Sequence, residues 1–199
     1  MKIFFALIVI LGLQIKSKTI IFFGDSLTAG FGLTSTKLAF PALLEGEMNK
    51  TPKKVKVINA GLSGETSAGG LGRIDWVLRE PIDFFVLELG ANDGLRGLPL
   101  DQTKKNLQAI IDKVKEKYPK AKIVLAGMMV PPNLGKAYTD EFKKIYPDLA
   151  TKNKCELFPF LLEGVGGDEK LNQRDGIHPN EEGHKIIAKN LAAFFQKIY

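Results

Sequence analysis

Thr19-Ile20-Ile21-Phe22-Phe23 runs without a break into Gly24-Asp25-Ser26-Leu27-Thr28-Ala29-Gly30. Five consecutive β-formers with no polar alternation predict a strand buried on both faces. The glycine-bounded segment after it predicts a tight turn into a helix, from which a serine hydroxyl can project out of the fold. Four further runs of the same kind follow, at 55–59, 83–89, 122–128 and 154–158. They recur about every 30 to 40 residues, the size of a strand–helix–strand unit.

Helical patterns fill the intervals. Residues 101–117 place Leu107, Ile110, Ile111 and Val114 on one face, and residues 139–152 do the same with Phe142, Ile145, Tyr146 and Leu149. Pro147 is expected to kink or divide the second of these. A last helix is predicted to start at an Asn180 cap, with Glu181 and Glu182 in its first turn and Ile187, Leu191, Phe194 and Ile198 on its buried face. No linker, repeat or low-complexity stretch interrupts the pattern. The expected fold is therefore one α/β domain, a three-layer α/β/α sandwich around a central five-stranded parallel sheet.

The 199 residues suit one such domain, and 45% hydrophobic with 25% charged residues excludes a disordered chain or a membrane bundle. One Cys excludes an internal disulfide framework, and no CxxC or HExxH spacing points to zinc, so no metal or cofactor is expected. The formal charge of +6 raises the question of nucleic acid. Its lysines are scattered in ones and twos, however, without an arginine stripe or interleaved aromatics, so no nucleic-acid partner is expected.

The N-terminus differs in kind. Met1-Lys2 precedes an uncharged, largely apolar run over residues 3–15, followed by Lys16-Ser17-Lys18. That run is short for a membrane span, which needs about 20 residues. It predicts a secretory signal peptide over residues 1–17, ahead of a catalytic domain at 18–199. Ile15 makes a poor cleavage site, and an uncleaved N-terminal anchor is the alternative. Removing residues 1–17 takes away Lys2 and Lys16 and leaves a charge of +4. The expectation is an exported protein of the bacterial periplasm, monomeric and without a stable membrane span once the leader is gone.

In an open parallel sheet, ligands bind beyond the carboxyl ends of the strands. Each predicted strand end there carries an unusual loop. Ser26 follows the first, with a helix-capping role as the bland alternative. The glycine-rich segment 60–70 follows the second, and its bare backbone can approach a ligand closely. Asn92 follows the third in Gly90-Ala91-Asn92-Asp93-Gly94, where it can donate to a developing oxyanion or form a simple Asx turn. Asp175-Gly176-Ile177-His178-Pro179 precedes the last helix. A carboxylate three residues before an imidazole can orient it as a general base. His184, the other histidine, falls on the core-facing register of the last helix and reads as structural. Nucleophile, oxyanion donors, base and orienter together form the set that acyl transfer needs.

These blocks, FGDSLTAG, LSGETS, ELGANDGLRG and DGIHPN in that order, resemble the SGNH hydrolases, also called the GDSL family. The resemblance covers nearly all of residues 19–198 and is nearest to the branch of bacterial periplasmic thioesterase, lysophospholipase and arylesterase. It implies a flavodoxin-like sheet and a serine esterase or thioesterase acting on small acyl esters or thioesters. Its four name-giving residues map onto Ser26, Gly64, Asn92 and His178. It further implies Asp175 as the third triad member and an oxyanion hole of the Ser26 and Gly64 N–H groups with Asn92. Asp25 is similar to the family's acidic neighbour of the nucleophile. Leu95, Leu98, Met129 and Leu134, in the loops after strands three and four, are candidates for an acyl groove. A carbohydrate O-acetyl esterase would share every catalytic residue, and a non-catalytic flavodoxin-like binding module would share the loops.

Overall fold

A computed structural model describes residues 17–199; residues 1–16 of the predicted leader over 1–17 lie outside the described residues. The chain opens with β1 (Lys18–Gly24) and a single helical turn α1 (Ser26–Ala29), then α2 (Phe40–Met48), β2 (Val55–Gly61) and α3 (Ser67–Val77). β3 (Phe84–Glu88), the short α4 (Ala91–Leu95), α5 (Leu100–Lys117), β4 (Lys122–Ala126), α6 (Lys136–Asn153), β5 (Glu156–Phe158) and α7 (Glu181–Ile198) complete it. Among the described residues no helix is long and apolar enough to cross a membrane.

The five strands form one parallel sheet in the order β2-β1-β3-β4-β5. β1 pairs on both sides, and Ile20, Ile21, Phe22 and Phe23 are fully covered, as the unbroken apolar run predicts. β2 lies at the edge, and after the buried Val55 its residues are half-buried or exposed. Right-handed crossovers send α2 to one face, where it packs on α7, and α3, α5 and α6 to the other. The chain reverses direction across the sheet between β1 and β3, so a crevice opens beyond Gly24 and Glu88.

Three local differences from the sequence pattern have clear causes. α6 runs unbroken through Pro147, because that residue sits on the exposed face, where water can take the freed Lys143 carbonyl. α2 carries no helix-start signal beyond Pro41 and no side-chain cap. It is held instead by burial of Phe40, Leu44 and Met48. On α7 the fully buried aromatic is Phe195; Phe194 and Ile198 are half-buried, since the stripe 184, 187, 188, 191, 195 faces the sheet.

Candidate active site

Asp25 terminates β1 and caps α1. Its Oδ1 accepts from the Leu27 N–H at 3.0 Å, so the cap is Asp25 and Ser26 is the first helical residue. This leaves the Ser26 side chain free of a capping role. Its Oγ lies 2.9 Å from His178 Nε2, and His178 Nδ1 lies 2.7 Å from Asp175 Oδ2. Asp175 Oδ1 accepts from the N–H groups of Ile177 and His178, both at 3.0 Å, which sets the turn that carries the imidazole. Desolvation works to raise the Asp175 pKa, but the bonds from the His178 N–H, its ring and the Ile177 N–H outweigh it. The carboxyl is held below its ordinary value and stays ionised.

Asn92 sits in α4, just beyond β3, and is not an Asx turn. Its Nδ2 donates to Asp25 Oδ2 and to the Glu65 carbonyl, both at 3.0 Å. The two bonds bring the ends of β1, β2 and β3 together at one point. Gly64 is the residue before Glu65; its φ of +77° is open to glycine but strained for other residues. Arg96 Nη2 donates to the Gly64 carbonyl at 2.9 Å and fixes that peptide. Neither the Ser26 nor the Gly64 N–H donates to any other described residue, so both are free for a ligand oxygen.

Behind this surface lie buried polar groups that the sequence patterns did not single out. Glu88 is fully buried at the end of β3; its Oε2 accepts from Thr28 Oγ1 at 2.7 Å and from the Asp25 N–H at 3.2 Å. Its Oε1 has no partner among the described residues. Burial first, and the neighbouring Asp25 charge second, raise Glu88 well above its ordinary value, which favours the neutral form. Burial also pushes Asp25 up to about 6, against the pull of the Leu27 N–H, His178 and Asn92. A charged residue in the otherwise apolar FFVLE strand was the available signal for Glu88.

A second network braces the two donor loops. Asp93 accepts from Ser67 N–H at 2.8 Å, from Ser67 Oγ at 2.5 Å and from Thr103 Oγ1 at 3.2 Å. Ser67 starts the helix after Gly64, and Asp93 follows Asn92, so the network holds both in register. His184, by contrast, is buried on α7, where Nδ1 accepts from the Phe40 N–H at 3.1 Å. That is the structural role its register predicts.

An open cleft of about 350 Å³ adjoins Ser26, Asn92 and His178. Leu95 and Met129 line it, together with Phe160 and Leu162 from the segment after β5, which the sequence patterns passed over. Leu98 and Leu134 do not line it. Leu98 faces a separate depression beside Pro99 and Thr103, and Leu134 packs against the core from a 3₁₀ turn (Pro132–Leu134). The loops after β3 and β4 turn these two side chains elsewhere, a placement that strand order alone does not reveal.

The fold and site define a serine hydrolase of the α/β/α type. The model of the GDSL-like lipase/acylhydrolase family matches residues 22–186, and the chain belongs to that family. It is a carboxylic ester hydrolase. It is 40% identical to esterase TesA of Pseudomonas aeruginosa over 92% of this chain and 90% of that protein. It is 39% identical to the Escherichia coli K12 protein named thioesterase 1/protease 1/lysophospholipase L1, over 90% of this chain and 84% of the other. A crystal structure of TesA superimposes with a TM-score of 0.85 at 37% identity, covering 92% of this chain and all of that one.

Proposed function

We infer that the chain cleaves acyl esters through a covalent acyl-enzyme on Ser26. The observation that carries this reading is the continuous hydrogen-bond line from Ser26 Oγ to His178 Nε2 at 2.9 Å and from Nδ1 to Asp175 at 2.7 Å. Ser26 Oγ attacks the carbonyl carbon as His178 Nε2 takes its proton; ionised Asp175 stabilises the resulting imidazolium. The Ser26 and Gly64 N–H groups receive the oxyanion, and Asn92 Nδ2 joins them by releasing its bond to the Glu65 carbonyl. His178 then passes the proton to the leaving group, and water repeats the sequence in reverse to release the acid. Asp25 and Asn92 act together, since Asp25 orients the amide that meets the oxyanion.

The substrate class is a small acyl ester or thioester, with lysophospholipids, aryl esters and acyl thioesters as the candidates. An apolar cleft with few polar groups supports an acyl chain as the bound limb. The leader over residues 1–17 supports export to the periplasm, where acyl-CoA is scarce, and this favours lysophospholipid or other oxygen esters. Domain 18–199 acts as a monomer in this reading.

Turnover of p-nitrophenyl butyrate by wild type and Ser26→Ala tests the mechanism. Loss of turnover in the variant, with the fold intact by circular dichroism, is the expected result; retained turnover would overturn the acyl-enzyme on Ser26. A panel of lysophosphatidyl, acyl-CoA, aryl and acetyl-sugar esters then ranks the substrates, and preference for the acetyl sugar would favour the O-acetyl esterase reading.

A further inference from the structure

Phe31 follows the turn that ends α1, and it is 49% exposed although it stands against the site. Its ring centroid lies 4.7 Å from that of His178, with the planes tilted by 44°. Hydrogen bonds hold it there. The Phe31 N–H donates to the Ser26 carbonyl at 3.0 Å, and Gln173 Nε2 donates to the Phe31 carbonyl at 2.7 Å and to the Pro179 carbonyl at 2.9 Å. The Gln173 N–H in turn donates to the His178 carbonyl at 2.7 Å. Gly32 permits the close approach, since a Cβ there would meet Gln173 Oε1 at 2.0 Å and its φ is +76°. A single exposed aromatic side chain needs no explanation. One whose backbone is tied to both the serine turn and the histidine loop does.

An ester presents two limbs to the serine. The apolar cleft accounts for the acyl limb, and Phe31 is not part of its lining. The other limb must lie where His178 Nε2 can reach its oxygen, and Phe31 is the aromatic side chain packed at a tilt beside that ring. The geometry points to Phe31 as the platform of a leaving-group subsite that favours a flat, apolar alcohol, a phenol above all, over a small alkyl alcohol. The assignment rests on the acyl-enzyme reading of Ser26. In that step the Ser26 Oγ–acyl carbon bond forms and the bond from acyl carbon to leaving oxygen breaks. The proton that His178 took from Ser26 passes to the departing oxygen. A departing aryl ring gains offset or edge contact with Phe31.

Phenyl butyrate and ethyl butyrate form the same butyryl-enzyme and differ only in the limb that leaves, so the change in their kcat/KM ratio between variants isolates this subsite. In Phe31→Ala the phenyl-over-ethyl ratio is expected to fall about three- to tenfold, chiefly through KM for the phenyl ester. Phe31→Trp keeps the ratio, Phe31→Leu lies between, and the shape of the pH profile does not move. An unchanged ratio in both Phe31→Ala and Phe31→Leu would overturn the subsite, as would equal losses on both esters with a displaced pH profile, which would make Phe31 only a support for the imidazole. Ser26→Ala, run on the same two esters, separates the readings. Turnover that survives in it breaks the acyl-enzyme mechanism, whereas its loss beside an unchanged Phe31→Ala ratio breaks the subsite alone.

Discussion

Asn92 Nδ2 lies 3.0 Å from Asp25 Oδ2, so the residue before the nucleophile directly orients the side-chain donor beyond the neighbouring strand. The same carboxylate uses its other oxygen to cap the serine turn through the Leu27 N–H. Ser26 and Asn92 therefore share one buried support, and a change in that support reaches both.

Asp25→Asn offers one oxygen for two donors. Either Leu27 N–H or Asn92 Nδ2 then faces an amide nitrogen, at a cost of roughly 1–3 kcal/mol for the unpaired group. A fall in kcat of about tenfold or more is expected, with KM less affected. Asn92→Ala removes the donor itself and is expected to lower kcat by about a hundred- to a thousandfold. The double variant should fall short of the product of the two single losses, because part of the Asp25 effect runs through Asn92 and part through the serine turn; full additivity in a double-mutant cycle would contradict the Asp25–Asn92 coupling.

Burial favours the neutral form of Glu88, and glutamine reproduces its shape and its acceptor. Glu88→Gln is expected to keep turnover within about twofold, with the amide oxygen in the place of Glu88 Oε2 receiving Thr28 and the Asp25 N–H. Glu88→Ala leaves both donors unpaired beside a cavity and should cost about 3 kcal/mol of stability, with kcat falling as the serine turn loosens. Urea unfolding and steady-state kinetics on the pair would check this, and equal damage from both substitutions would mean that the carboxylate is charged.

Stability in mild acid reflects two buried groups of opposite sign. Burial pushes His184 down to about 4 from an ordinary value of 6.5, with the His178 charge adding to it. The unfolded chain takes up that proton first, so this contribution is present above about pH 6.5 and is lost as pH falls through 4. Asp25 runs the other way. Its folded value of about 6 exceeds the ordinary 3.8, so the folded state binds the proton first and regains stability as pH falls from 6 toward 4. Each amounts to about 3 kcal/mol. Relative to wild type, His184→Asn should become more stable, and Asp25→Asn less stable, as the pH of urea unfolding drops from 7 to 4.5. Curves that stay parallel to wild type would show that neither group titrates as described.

The cleft lining makes a comparison possible among the apolar residues near the site. Leu95→Ala and Leu162→Ala remove cleft walls and are expected to shift the preferred acyl chain length of p-nitrophenyl esters by two carbons or more. Leu134→Ala, outside the cleft, should leave that profile in place while costing stability through lost packing. Profiles measured from acetate to palmitate would check both halves.

Most of the fold was readable from the chain because its signals are local. Near-continuous apolar runs mark β1, β3 and β4, and the Asn180 cap with its acidic first turn marks α7. Ser26, Asn92 and the Asp175–His178 turn, which the fold brings together, stood out for the same reason, since each residue type sits in a short local motif. α2 escaped notice because its helix is stabilised by burying Phe40, Leu44 and Met48 rather than by propensity or capping.

What only the tertiary structure decided depends on contacts between distant segments. Asp25 meets Asn92 across 67 residues, Glu88 meets Thr28 across 60, and Gln173 reaches Phe31 across 142. The sheet order places β1 beside β3 and so sets Ser26 against Asn92. The loops after β4 and β5 decide that Phe160 and Leu162, rather than Leu98 and Leu134, wall the cleft. Sequence patterns specify which groups can do the chemistry, because that depends on residue type and local turn. Their pKa values, their supports and the shape of the space beside them come from burial and long-range pairing, which exist only once the sheet has formed.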